Sequence, residues 1–179
     1  MAKLKIMKHI NLLKVICLCL VIWSCDSDSG DPQITLSDNP GIEAIINGGT
    51  YTNYRFANGI YQISLGNSNQ NMSINAGDDN GHQLTLFLNG TGGFSTGAVK
   101  TIGDTDSDNF RTYVLIREAN SQVNYYATTG SISINRYQAH PNKSGFRVIS
   151  GVFNISATSE DGMHNTSMTG GFTDLEFQE

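Results

Sequence analysis

Cysteine is absent from the chain after residue 25: the three that occur are Cys17, Cys19 and Cys25. A domain built from the remainder has no disulfide framework and must be held by packing. Positive charge is also scarce. Lys3, Lys5, Lys8 and Lys14 account for four of the eleven basic residues, and all sixteen acidic residues come later. Beyond residue 24, seven bases therefore face sixteen acids, a net charge of −9. Such a surface excludes phosphate-dominated binding to nucleic acid and direct electrostatic adhesion to anionic lipid. No apolar run approaches the roughly 20 residues of a spanning helix, and no stretch keeps apolar spacing at the helical period. The histidines at positions 82, 140 and 164 have no paired metal-ligand spacing and are read as turn residues.

What is present begins with nine uninterrupted apolar residues, Val15 to Trp23, behind the four lysines. This is the layout of a secretory signal. Ile22-Trp23-Ser24-Cys25 fits a bacterial lipobox, with a branched apolar residue, a small residue before the cut, then cysteine. The expectation is cleavage after Ser24, residues 1–24 being the signal peptide, and acylation of Cys25. Two or three acyl chains, at about 0.8 kcal/mol per buried methylene, give a stable anchor where one does not. The alternative is an ordinary secretory signal with an incidental cysteine. Residues 25–40 then read as the acylated cysteine and a tether: DSDSGDPQITLSDNP carries four aspartates and two prolines with little to bury. Fifteen flexible residues have a root-mean-square span of about 20 Å.

From 41 to 179 the sequence predicts one all-β domain. Short runs of period two alternate with turn chemistry. Asn47-Gly48-Gly49 sits between two such runs and signals a hairpin. Tyr61, Ile63 and Leu65 share a face, as do Met72, Ile74 and Ala76, and then Leu84, Leu86 and Leu88. NYYATTG and SISINRY follow, and FRVISGVFNISAT is long for one strand, so Ser150-Gly151 in its middle predicts a bulge or bend. About nine or ten strands with no helical crossover sum to an antiparallel sandwich or flattened barrel. TGGFST at 91–96 and TGGFTD at 169–174 raise the possibility of an internal duplication, against chance recurrence of a Gly-rich turn before a phenylalanine.

Several patterns carry possible chemistry. Gly93 to Gly97 reads G-x-S-x-G, but the nucleophile elbow needs a helix after Ser95, and AVKTIGDTDSD will not start one. Asp104, Asp106 and Asp108 alternate as calcium ligands do. The EF-hand form fails, because Asn109 stands where its glycine belongs and Leu115 where its glutamate belongs. A looser calcium site, completed by another loop, is weighed against a solvated acidic loop. No other cofactor is implied. The seven tyrosines at 51, 54, 61, 113, 125, 126 and 137 are read as sheet residues or as an aromatic platform for sugars or peptides.

EAIINGGTY near residue 43 and the closing SISINRYQ…SGFRVISGVFNISATSEDGMHNTSMTGGFTDL resemble a family of small Bacteroidota lipoproteins defined only as a domain of unknown function. The likeness spans most of residues 42–177, with its C-terminal signature at Ser150-Gly151-Val152-Phe153, Ala157, Gly162 and Gly171-Phe172. It implies the fold and an envelope location, and carries over no catalytic residues. In that lineage acidic residues just after the cysteine act as a surface-export signal, which Asp26 and Asp28 resemble. In other bacteria an aspartate there means inner-membrane retention. The resulting expectation is an outer-membrane lipoprotein, displayed at the cell surface in preference to the periplasmic face. Three functional classes follow from the chain: a binding or accessory module for a glycan, protein or small ligand; a carboxylate-dependent glycan hydrolase; and a barrel carrying an apolar ligand.

Overall fold

The computed structural model describes residues 34–58, 60–66, 70–120 and 123–179. Ser24, Cys25, Asp26 and Asp28 lie outside the described residues, as does the signal segment. Among the described residues there are ten strands and no helix. They are β1 (Gly41–Gly48), β2 (Tyr51–Asn58), β3 (Tyr61–Leu65), β4 (Met72–Gly77), β5 (Gln83–Leu88), β6 (Val99–Thr101), β7 (Tyr113–Arg117), β8 (Asn124–Ala139), β9 (Phe146–Ser159) and β10 (Asn165–Gln178). All pair antiparallel in one sheet of order β2-β1-β10-β9-β8-β7-β5-β4-β3, with β6 also set against β8. The sheet curls into a half-barrel.

Alternation explains which side is inside. Ile42, Ala44 and Ile46, then Met72, Ile74 and Ala76, then Leu84, Leu86 and Leu88 all point inward and are buried. Phe153, Ile155, Met168, Phe172 and Leu175 complete the interior. Burying each such side chain contributes about 1.5–3 kcal/mol, which is how a domain without cross-links is held. The β1–β2 hairpin turns at Gly48 and Gly49, both at positive φ (95° and 63°), as Asn47-Gly48-Gly49 predicts.

The curl brings the two ends of the strand order together through side chains. The Glu176 N–H donates to Tyr61 Oη at 2.8 Å, joining β10 to β3. From β2, Tyr54 donates to the Asp78 carboxylate and Tyr51 reaches His82 Nδ1 at 3.2 Å, both on the β4–β5 turn.

Two predictions about strand continuity are modified. NYYATTG and SISINRY form a single strand, β8. The irregularity expected at Ser150-Gly151 exists, but β9 runs through it, and the extra residues lie in its neighbours. Ile134 pairs with Gly151 and Arg136 with Ser150, so Asn135 is the extra residue in β8. On the other side Phe172 pairs with Gly151 and Leu175 with Ile149, so the second bulge is at Thr173-Asp174 in β10. Gly151 is needed because a Cβ there would meet Phe172 Cζ and the Ser133 carbonyl oxygen, each at 2.5 Å. Asp174 takes a left-handed φ of 45°, held by Ser150 Oγ, which accepts from its N–H and donates to Oδ1.

Leu36, within the stretch read as a tether, is docked. A Cβ on Gly171 would meet Leu36 Cδ1 at 2.5 Å, so Leu36 lies directly over that glycine.

Candidate functional site

Strands that point alternate apolar residues inward must point the residues between them outward. On β5 these are Gln83, Thr85 and Phe87; on β7 they are Tyr113, Leu115 and Arg117. Phe87 is directly opposite Tyr113 in the ladder, and their rings stack with centroids 5.2 Å apart and planes 10° from parallel. Phe110 leans on Phe87 at 6.1 Å. Phe110 and Tyr113 are 42% and 38% exposed, so the group forms an aromatic platform open to solvent. Exposed apolar patches rimmed by polar groups mark interaction sites.

The polar rim is ordered. Thr85 Oγ1 donates to Asn75 Oδ1 at 2.8 Å, and Asn75 Nδ2 donates to Ser73 Oγ at 3.1 Å. This chain fixes the Asn75 amide on the outer face of β4, beside the aromatic rings. A shallow trough of about 340 Å³ continues from it across residues 60–62, 75–77 and 83–85. Beyond Phe110, at the other end of these strands, a hollow of about 450 Å³ is lined by Gly66, Gln70, Asn71, Asp108 and Phe110.

Phe110 is presented by the loop that carries the predicted calcium residues. Asp106 turns its carboxylate toward the backbone: Oδ2 accepts from Gly90 N–H at 3.0 Å, and Oδ1 from Asp108 and Phe110 N–H at 3.0 and 2.9 Å. These bonds, that from Gly90 foremost, hold the Asp106 carboxyl below its ordinary range. Asp104 contributes its backbone carbonyl, which accepts from Asn89 Nδ2 at 2.8 Å, and Asp108 is exposed. Among the described residues no three His, Cys, Asp or Glu side chains converge as metal ligands would. The geometry gives Asp106 the part of holding the loop.

The same loop region is held from inside by Lys100, which is only 2% exposed. Its Nζ donates to the carbonyls of Asn89 (2.9 Å) and Thr91 (2.5 Å) and sits 4.6 Å from the Phe94 ring centroid. Burial pushes its pKa down, opposed by Asp106. Ser95 lies in the loop between β5 and β6 with no helix after it, so the elbow context is missing. The two TGGF copies differ in structure: residues 91–96 are loop, and 169–174 lie within β10.

The seven tyrosines divide. Tyr113 and Tyr126 are exposed on the outer face. Tyr51, Tyr54 and Tyr125 gather with His82 at the end of the half-barrel marked by the β1–β2 and β4–β5 turns, Tyr51 lying 5.8 Å from Tyr125 and 5.5 Å from His82. Because Ala119 N–H donates to His82 Nδ1 (3.3 Å), that nitrogen is an acceptor and the Tyr51 hydroxyl donates to it. Burial raises the Tyr51 and Tyr54 pKa values, Tyr54 also through Asp78. Tyr137 stacks under the Arg147 guanidinium at 4.9 Å. His140 bonds Glu176 at 3.0 Å, and Lys143 pairs with the same carboxylate.

The platform is mostly phenylalanine, which a search for tyrosines alone does not find. The signal is in HQLTLFL: a phenylalanine on the face opposite three leucines has to point at water or at a ligand. Comparison of the chain with protein-family models, curated proteins and solved structures gives no match.

Proposed function

We propose that this protein is a lipid-anchored envelope module that binds a glycan on the outer face of β4, β5 and β7. The observation that carries the reading is the stacked Phe87–Tyr113 pair with Phe110 beside it, flanked by the ordered Ser73–Asn75–Thr85 chain. A pyranose ring has flat C–H faces that suit aromatic planes, and equatorial hydroxyls that suit side-chain amides and hydroxyls at the rim. The interior supports binding over carriage, since large side chains such as Phe56, Phe172, Met72 and Leu86 fill it. The lipobox at Ser24-Cys25, the acidic residues Asp26 and Asp28 and the resemblance to small Bacteroidota lipoproteins support acyl anchoring and display at the outer surface.

The test is binding of the purified mature chain to immobilised neutral polysaccharides. Phe87→Ala and Tyr113→Ala are expected to weaken it by about 1–2 kcal/mol each, a factor of roughly 5–30. Retention of full binding by both variants, with unchanged folding, refutes the assignment.

A further inference from the structure

Gly77 is the last residue of β4 and by alternation belongs to the outer face, in line with Ser73 and Asn75. Without a side chain it leaves the floor of the trough open between Ile60 and the start of β3 on one side and residues 83–85 of β5 on the other. The glycine is not there for backbone reasons. Its φ is not in the left-handed region, and a Cβ built on it meets nothing nearer than the His82 carbonyl oxygen at 3.6 Å, an ordinary contact. Elsewhere in the same sheet, Gly151 and Gly170 are excluded from substitution by close approach, with neighbours at 2.5 Å and 2.2 Å. Gly77 differs: a side chain fits, and the space it would fill is the trough.

Resting on the glycan reading, we infer that this trough is a second subsite for the same ligand, making the protein a reader of uncharged linear oligosaccharides of three or more rings. The distance supports a chain. From Phe87 to Gln83 along β5 is four residues, about 14 Å at the rise of an antiparallel strand, well beyond a single ring. The chemistry supports lack of charge. Between the platform and Gln83 the strands offer only uncharged groups outward, the hydroxyls and amides of Ser73, Asn75, Thr85 and Gln62 with Leu115 opposite Thr85 and Ile60 at the trough, and Arg117 stands at the border opposite Gln83. This strip is neutral on a chain whose residues beyond 24 carry −9.

In this arrangement one ring packs against the solvent-facing side of the stacked Phe87–Tyr113 pair and Phe110, and the following rings descend along β5 past Asn75 and Thr85 into the trough over Gly77. Gln62, exposed on β3 and paired with Asn75, closes its far side. Each ring that enters the trough adds hydrogen bonds, so affinity rises with ligand length until the trough is full.

The full chain, purified in detergent, is titrated calorimetrically with ladders of two to six units of β-1,4-linked glucose, β-1,4-linked mannose and α-1,4-linked glucose. One ladder is expected to bind with an affinity that climbs roughly 5- to 30-fold between two and four units, the gain from one or two added hydrogen bonds. Gly77→Leu, which fills the trough without backbone strain, should remove that climb and leave the shortest ligand's affinity unchanged. Gln62→Ala, on an exposed residue, should reduce the climb and serves as the second variant. Phe87→Ala should weaken every length alike. Affinity independent of length, or a climb that survives Gly77→Leu, overturns the subsite and leaves the platform standing. Failure of every ladder to bind the wild type removes the glycan reading and this inference with it.

Discussion

Replacing Gly151 with alanine adds one methyl group at a point where two bulges flank an unbroken strand. That methyl would lie 2.5 Å from Phe172 Cζ and 2.5 Å from the Ser133 carbonyl oxygen. Contacts of that length do not persist, so something must shift. The phenylalanine ring can rotate only within a filled interior, since Phe172 is 1% exposed, and the Ser133 carbonyl belongs to the β8 backbone paired with β9. Overpacking of this kind costs about 1–3 kcal/mol. For a domain near 150 residues each kcal/mol moves the melting temperature by roughly 2–4 °C, so a loss of about 2–12 °C is expected. Gly77→Ala is the control, because there the new methyl meets only an ordinary 3.6 Å contact. Less freedom in the unfolded chain should leave that variant unchanged or about 0.4–1 kcal/mol more stable. Circular dichroism melts of the two variants and of Gly151→Ala/Phe172→Leu give the answer. Partial recovery in the double variant is expected, since the smaller residue relieves one of the two contacts. A Gly151→Ala midpoint equal to that of Gly77→Ala would show that the crowding argued from the double bulge is not there.

Alkaline pH should destabilise the domain beginning at about pH 10, the ordinary tyrosine range. Burial, foremost, raises Tyr51, Tyr54 and Tyr137 above that value in the folded state. Their stabilisation is complete below the unfolded pKa and is lost as pH rises through the folded ones. Tyr51→Phe should flatten the fall in denaturation midpoint between about pH 9.5 and 11; an unaltered slope would separate the effect from that phenol. For the N-terminus, Cys25→Ala should move the protein from the washed membrane fraction to the soluble one with its melting temperature intact, because no cross-link is lost. Persistence of the variant in the membrane would end the acyl-anchor account.

Where one face of a strand is buried, the fold was readable residue by residue. Leu84, Leu86 and Leu88 declare their side by period alone, and Asn47-Gly48-Gly49 declares its turn by the backbone angles it accepts. The irregularity near Ser150 was readable as a place but not as a strand. A glycine signals close approach, and here the approaching groups come from β8 and β10, whose extra residues, Asn135 and Thr173-Asp174, have no local signal of their own. Lys100 reads as a surface residue, since an ammonium is rarely buried. Only the loop carbonyls of Asn89 and Thr91, brought together in space, make its burial tolerable. The aspartates at 104, 106 and 108 suggested a cation by spacing. What spacing does not reveal is that Asp106 would find its own donors in Gly90, Asp108 and Phe110. The platform was half legible, in Tyr113 and in the outward position of Phe87; its third ring depends on a loop conformation that composition does not specify.

β5 carries two independent instructions in six residues. Its even positions build the interior and its odd positions face whatever the protein meets. A lineage can therefore exchange Gln83, Thr85 or Phe87 one at a time and change what that face presents without touching the leucines that keep the molecule folded. Loss or gain of a single residue in that strand is another matter, because it would turn both instructions over at once. Diversification of this surface should proceed by substitution, with strand lengths held constant among descendants.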